Sequence, residues 1–213
     1  MAKVGRFVHE IDNTDSTSTT YDATISGFGD VTAFVTHMSG YDDFYGSGDS
    51  THMSVFGLRD SGGNFDVYSV AFNIRDGIGT ADTHRSWNYT DNNVAYFREV
   101  CNLEFAPITN GIRITLTGIA SSVNDRYMTA YTTAFSGVKA ARLLVTGTGQ
   151  ESWTTTSHED GSAFTPGAVF AHTAGHNVFS GGNETTDIAA YSLGFSTSST
   201  QWSLSYTDND GAS

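Results

Sequence analysis

The chain has 213 residues, of which 38% are hydrophobic and 15% charged, and 23 acidic against 10 basic side chains give a formal net charge of −13. Its 14 Phe, 10 Tyr and 3 Trp residues exclude an intrinsically disordered chain, because disorder needs low hydrophobicity together with high charge. The negative field repels phosphate backbones and anionic headgroups, so we expect no nucleic-acid and no membrane partner. The single cysteine, Cys101, excludes an intrachain disulfide.

Aromatic and β-branched residues are concentrated in short segments that are separated by Gly, Asn, Asp and Ser, as in strands and turns. Alternation is clearest at Ile112, Ile114 and Leu116, so one face of that strand should be buried. We therefore predict an all-β fold, an antiparallel β-sandwich of jelly-roll-like character. The predicted strands cover residues 4–11, 31–38, 53–58, 65–74, 94–105, 112–119, 127–135, 141–146, 168–173, 188–195 and 202–206.

Two parts of the sequence match each other in the same order. YSVAF at 68–72 returns as YSLGF at 191–195, and YTDN at 89–92 returns at 206–209. These matches predict an internal duplication that gives two related sandwich units. The upstream matches pair Phe28, Phe34, His37, Gly40 and Phe44 with Phe164, Phe170, His172, Gly175 and Phe179.

The duplication suggests a division of the chain into an N-terminal strand and flexible arm (1–22), a first β-sandwich unit with insertions (23–147) and a second, shorter β-unit (148–213). We expect the second unit to lack closing strands, which leaves an exposed sheet edge. The strand at 3–11 can close that unit, or it can add to a neighbouring subunit, or strands from the middle of the chain can serve both units. The sequence leaves these three alternatives open.

Motifs for catalysis are absent from the sequence, and we expect a non-enzymatic protein without a cofactor. There is no GxSxG nucleophile elbow, and the paired carboxylates are adjacent along the chain rather than facing each other across a groove. His172 and His176 have the spacing of a helical zinc motif but lack its Glu, and on a strand they lie about 13 Å apart. Asp208 and Asp210 form an oxygen-rich stretch that is a candidate for structural Ca²⁺, with a simple turn as the alternative.

Three aromatic residues near predicted turns are candidate binding residues: Tyr41, Tyr45 and Trp153. Such rings can stack on a sugar or fill a pocket of a partner protein. The alternative is that they pack in the core or in cross-strand pairs.

The stretch GSAFTPGAVF at 161–170, followed by YSLGF at 191–195, resembles a recurring module of tailed-phage virion proteins. GFGDV at 27–31 with YSVAF at 68–72 is similar but lacks the proline and the second glycine. The resemblance covers about 50 residues of the second copy and about 70 of the first. It implies a β-sandwich protein on the outside of a phage particle: a capsid decoration protein, a head fibre or a tail-associated protein.

We accordingly expect a structural virion protein, a capsid decoration or cement protein that acts through subunit interfaces. The first residues lack the apolar run of a secretory signal, so we expect assembly in the host cytoplasm. The expected partners are further copies of the chain, in a homo-oligomer for which a trimer is favoured, and the major capsid protein or another virion protein. The alternative is a receptor- or carbohydrate-binding module of a phage tail fibre, with a glycan as its ligand.

Overall fold

The computed structural model describes residues 1–13, 19–42, 49–75, 83–92, 94–97, 101–117, 126–141, 165–176 and 188–209. These residues form strands and turns and contain no helix, which confirms the predicted all-β class. It follows that no helix of the described ranges has the length and apolar character to cross a membrane. The strands are β1 (Lys3–Asn13), β2 (Thr19–Thr24), β3 (Val31–Asp42), β4 (Asp49–Arg59), β5 (Phe65–Arg75), β6 (Thr83–Asn92), β7 (Val94–Phe97), β8 (Cys101–Ile108), β9 (Gly111–Thr117), β10 (Arg126–Ser136), β11 (Ala168–His176), β12 (Ile188–Thr197) and β13 (Gln201–Asn209).

The described strands form three antiparallel sheets. A six-stranded sheet has the order β1-β10-β3-β4-β5-β6, a four-stranded sheet the order β2-β9-β8-β7, and a three-stranded sheet the order β11-β12-β13. The six-stranded and four-stranded sheets enclose the main core, so the predicted antiparallel sandwich is confirmed. Strands β3 to β6 follow each other as a meander, and this order does not confirm the jelly-roll expectation.

Phe34 on β3 lies at the centre of the core between these two sheets. Its ring packs edge-on against Phe65 of β5, with centroids 4.9 Å apart, and stacks on Phe105 of β8 at 5.2 Å. Because Phe105 belongs to the four-stranded sheet, this stack joins the two layers. The other buried hydrophobic members of the core are Phe7, Phe28, Val31, Met38, Met53, Val55, Val67, Leu103, Ile112, Ile114, Leu116, Ala130 and Ala134.

Strand β9 shows how the sequence pattern produces this core. Ile112, Ile114 and Leu116 are fully buried, while Arg113 between them is exposed and binds Asp22 of β2 through two hydrogen bonds of 2.7 Å. The predicted division of this strand into a core face and a solvent face is therefore confirmed. The ion pair lies at the surface, where screening by solvent leaves it little effect on stability.

The three-stranded sheet lies on the outer face of the six-stranded sheet, away from the main core. Its Phe170 contacts Phe135 of β10, with ring centroids 6.0 Å apart. Strands β11 and β12 also approach β5 and β6, near the opposite edge of the six-stranded sheet. Strand β11 therefore crosses that face instead of extending the sheet.

The two copies that the sequence suggests differ in their strand pairing. In the first copy Tyr68 lies opposite Thr90, whereas in the second Tyr191 lies opposite Tyr206, which is the counterpart of Tyr89. The pairing is thus shifted by one residue, and such a shift exchanges the faces of one strand relative to the other. In addition, β3 pairs with β4, whereas its counterpart β11 pairs directly with β12. The duplication remains a prediction.

The N-terminal strand β1 pairs with β10, from Lys3 opposite Ser136 to Asn13 opposite Arg126. One of the alternatives for this strand was that it closes the second unit. Within the described residues, β1 pairs in the six-stranded sheet and not with β11–β13. Within the predicted arm, residues 19–21 belong to β2, and residues 14–18 lie outside the described ranges. The predicted domain boundary at 147–148 also lies outside them.

His9 of β1 is a buried titratable group, with only 3% of its side chain exposed. Its Nε2 lies 3.2 Å from the carbonyl oxygen of Ile112, which can only accept, so Nε2 carries the proton. Its Nδ1 is buried without a hydrogen-bond partner. Burial lowers the pKa of His9 below the ordinary 6.5, while the Ile112 carbonyl and the Asp22 charge act in the opposite direction.

This lowered pKa predicts a loss of stability on mild acidification. Below about pH 6.5 the unfolded chain binds a proton at His9 that the folded chain does not bind, so the free energy of unfolding falls until the folded pKa is reached. Urea denaturation between pH 7.5 and 5.5 should show this fall, and His9→Gln should make the slope shallower. The slope should not vanish, because burial also lowers the pKa of His37. An unchanged slope in His9→Gln would contradict the prediction.

Candidate functional site

The outer face of the six-stranded sheet carries exposed apolar side chains at its β1 edge. Phe7 and His9 of β1 are buried, so the alternate residues Val4 and Val8 face outward. Val4 is 67% exposed and lies opposite Phe135 of β10, and Val8 lies opposite Tyr131, which is 50% exposed. This edge of the sheet therefore presents apolar surface to solvent.

The three-stranded sheet presents a second apolar face. Phe170, Phe195 and Trp202 lie opposite one another on its three strands, with successive ring centroids 5.1 and 6.2 Å apart. Leu204 follows Trp202 on the same face of β13, two residues along the strand. Trp202 is 51% exposed and Leu204 is 60% exposed. The packing against the six-stranded sheet thus leaves the β13 side of this face uncovered.

The contact between Phe135 and Phe170 joins these two surfaces into one. A single exposed apolar residue is ordinary, but a row of apolar side chains across two sheets, most of them exposed and Phe135 and Phe195 partly buried, is typical of an interaction surface. We call this row the apolar strip. It consists of Val4, Val8, Tyr131, Phe135, Phe170, Phe195, Trp202 and Leu204.

Two charged residues lie on the same outward face of β1 as the strip. Arg6 lies between Val4 and Val8, Glu10 follows Val8, and both charged side chains are exposed. The residues opposite them on β10 are Thr133 and Thr129, so neither charge has an opposite charge across the strand pair. A partner that covers this part of the strip therefore has to supply groups that complement the charges of Arg6 and Glu10.

Of the residues that the sequence suggested for binding, only the backbone of Tyr41 lies within the described part of the structure. Tyr41 lies in β3, opposite Tyr127 and Ser50, and its side chain lies outside the described part of the structure. Tyr45, Trp153 and Asp210 also lie outside the described residues. Their proposed binding roles remain predictions.

The candidate calcium residue Asp208 lies in β13, opposite Ala189. Both YTDN motifs belong to strands, β6 and β13. Asp208 and Asn209 are the last two residues of β13, and the turn predicted for 208–211 stays a prediction because 210 and 211 lie outside the described residues. Within the described ranges, no three His, Cys, Asp or Glu residues are grouped as metal ligands. Calcium binding remains a prediction, because Asp210 lies outside those ranges.

The sequence analysis did not predict the apolar strip, although the sequence contains part of the pattern that indicates it. In β13, Trp202 and Leu204 alternate with serines, which predicts an apolar face. The alternation shows that one face is apolar but not whether another layer covers it. On β1, apolar residues occur on both faces, at Phe7 and at Val8, and this is the signal that could have indicated an outward contact surface.

The fold and this surface together define the protein as an all-β sandwich with an additional small sheet and an exposed apolar strip across both. Comparison of the chain with protein-family models, curated proteins and solved structures finds no match.

Proposed function

We propose that this protein is a non-enzymatic structural component of a phage virion, a capsid decoration or cement protein that acts through subunit interfaces. The observation that carries the proposal is the apolar strip, because side chains such as Trp202 and Leu204 remain more than half exposed in the isolated chain. Covering such side chains is favourable by about 25 cal/mol per Å² of apolar surface. A subunit of a larger assembly gains this energy when it binds.

The sandwich architecture and the charge of the chain agree with such a role. Antiparallel sandwiches form rigid surfaces on which contacts are set by strand geometry. The net charge of −13 disfavours non-specific association, so binding depends on the apolar strip and on the few basic groups near it. The sequence resemblance to virion surface proteins gives the proposal its particular setting, the outside of a tailed-phage particle.

The direct test of this function is the composition of the particle. Quantitative mass spectrometry of purified virions from the phage that encodes this chain should find it at a fixed ratio to the major capsid protein. Its absence from purified particles, or a ratio that falls steadily during repeated washing, would contradict the proposal.

A double variant of the strip tests the surface. We expect Trp202→Ser with Leu204→Ser to weaken binding to particles at least about 30-fold, because an interface tryptophan commonly contributes 2 kcal/mol or more. Val169→Ser is the matched control: Val169 is 49% exposed but lies on the opposite face of the same sheet, since it pairs with Ser196 and not with the Phe170 row. Cosedimentation of each variant with particles measures the difference. Equal losses in both variants would show that the strip is not the contact.

Exposure of Trp202 also favours a second candidate, a receptor- or carbohydrate-binding module of a tail fibre. An exposed indole can stack on a sugar ring, but sugar binding also needs hydrogen-bonding groups beside the ring. On β13 the neighbouring Gln201, Ser203 and Ser205 face the other side of the sheet. A glycan array distinguishes the candidates, since binding that is lost in Trp202→Ser would support the second.

A further inference from the structure

Strand β1 is an edge strand of the six-stranded sheet. It has 11 residues, Lys3–Asn13, and all of them pair with β10 along one edge. No described strand pairs with the other edge of β1. An edge of this length presents a row of N–H and C=O groups that can pair with another strand.

The outward residues of this strand have a self-complementary pattern of charge. Arg6 and Glu10 lie at equal distances on either side of Val8, and all three are exposed. The two charges are about 13 Å apart along the strand, which is too far for an ion pair within one chain. Each therefore remains available to a charge on another molecule.

We propose that β1 pairs antiparallel with β1 of a second copy of this chain, about a two-fold axis at Val8. This inference rests on the proposed function in subunit contacts and names one of the partners. A two-fold axis normal to the sheet keeps the outward face of both copies on the same side. Arg6 then lies opposite Glu10 of the second copy, Glu10 lies opposite Arg6, and the two Val8 side chains meet on the axis.

The other registers with the same faces aligned are less favourable. An axis at Arg6 places the two guanidinium groups opposite each other, and an axis at Glu10 does the same with the two carboxylates. An axis at Phe7 places Val8 opposite Arg6. An axis at His9 places Arg6 opposite Asp12, but it also places Val8 opposite Glu10 and so leaves Glu10 without an opposite charge. Opposite charges across a strand pair stabilise it and like charges destabilise it, so the axis at Val8 gives Arg6 and Glu10 their best partners.

Pairing at Val8 also connects the apolar strips of the two copies. Val8 lies beside Tyr131 on the outer face, so the strip of one copy continues into that of the other across the axis. Backbone hydrogen bonds along β1 supply much of the contact, and the charges select its register. The result is one continuous sheet with the six strands of each copy.

The test uses charge reversal and the mass of the full-length protein in solution. Wild-type protein should show a concentration-dependent mass of up to twice 22.8 kDa by sedimentation equilibrium. Arg6→Glu brings carboxylates opposite carboxylates at both ends of the contact, and Glu10→Arg does the same with guanidinium groups. Each variant should raise the dissociation constant about 10- to 100-fold. Glu104→Arg is the matched control, because it makes the same charge change at an exposed position of β8 in the other sheet.

Mixing the two single variants gives the decisive result. In an equimolar mixture, every charge of Arg6→Glu finds its opposite on Glu10→Arg, so a heterodimer should form although neither variant pairs with itself. The double variant Arg6→Glu/Glu10→Arg should likewise recover the wild-type dissociation constant. A monomeric wild-type chain, an oligomer that Arg6→Glu leaves unchanged, or a mixture that does not associate would overturn the β1 contact. None of these results bears on the strip, which the Trp202 and Leu204 variants test separately.

Discussion

Replacement of Phe34 by alanine is expected to lower the free energy of unfolding by about 3–5 kcal/mol. The Phe34 side chain is 2% exposed, and its ring contacts Phe65 of its own sheet and Phe105 of the facing sheet. Removing the ring therefore opens a cavity between the layers in addition to losing buried apolar surface. Gly57 lies opposite Phe34 on β4, and the ring covers this glycine so closely that no other side chain fits there. Because Gly57 has no side chain that could move into the cavity, the cavity is filled only in part, and the expected cost lies in the upper part of that range.

Urea denaturation of the full-length chain measures this effect, with Tyr131→Ala as the control. Tyr131 is also aromatic and also lies on the six-stranded sheet, but it is 50% exposed on the outer face. Its replacement should change the free energy of unfolding by about 0.5 kcal/mol or less, as is usual at exposed positions. Similar costs for the two variants would contradict the assignment of Phe34 to the centre of the core.

The sequence predicted those strands whose side chains alternate between core and solvent. The alternation at Ile112, Ile114 and Leu116 located β9 and its buried face, and hydrophobic runs located β3, β5 and β10. These strands were predictable because burial of one face imposes a period of two on the sequence itself. The prediction of one strand over 94–105 is wrong, because β7 and β8 are separate strands that pair antiparallel with each other. The segments 98–100, 118–119 and 142–146 of the predicted strands lie outside the described residues.

Two strands were not among the predictions because their sequences are polar. TTYDAT of β2 occurs in a low-complexity stretch, and β6 has the sequence THRSWNYTDN. What makes β2 a strand is its pairing with β9, which is distant in the sequence. Such long-range pairing overrides a weak local preference, and a single sequence does not encode it as a periodic pattern.

The order of the strands in the sheets and the position of the apolar strip could not be predicted from the sequence for the same reason. The pairing of β1 with β10 joins residues more than a hundred positions apart, such as Val4 and Phe135. The strip exists because that pairing places Val4 beside Phe135 and because Phe135 meets Phe170 of a third sheet. In the sequence, most of its residues have the pattern of ordinary core residues. Only the arrangement of the sheets shows which of them are exposed.

Replacement of Gly111 by alanine is expected to cost about 3 kcal/mol, at the upper end of the range for overpacking a tightly packed site. Gly111 begins β9 and lies between Thr24 of β2 and Ile108 of β8. A Cβ atom at this position would lie 2.1 Å from the carbonyl oxygen of Ala23, which is a backbone atom and not the end of a flexible side chain. The clash therefore has to be relieved by separating β2 from β9.

The adjacent turn resists that separation. Asn110 has a φ of 60°, its carbonyl oxygen accepts a hydrogen bond from the amide of Ile25 at 3.0 Å, and its side chain accepts one from the amide of Gly29 at 2.8 Å. Movement of β2 away from Gly111 would weaken these bonds, which hold the loop between β2 and β3 on the turn between β8 and β9. The added methyl group therefore destabilises the β2–β9 pair and also the loop that leads into β3.

Gly167→Ala is the matched control for Gly111→Ala. A Cβ atom at Gly167 would meet no atom within 4 Å, and its φ is not positive. This substitution should leave stability unchanged or raise it by about 0.4–1 kcal/mol through the unfolded chain. Thermal unfolding separates the two cases, since a cost of 1 kcal/mol lowers Tm by about 2–4 °C in a chain of this size. Relative to the wild-type protein, Gly111→Ala should increase the rate of amide hydrogen exchange more in β2 than in β5, because the disturbance begins at the β2–β9 pair. Equal Tm values for the two alanine variants would show that β2 does not pack against β9 at Gly111.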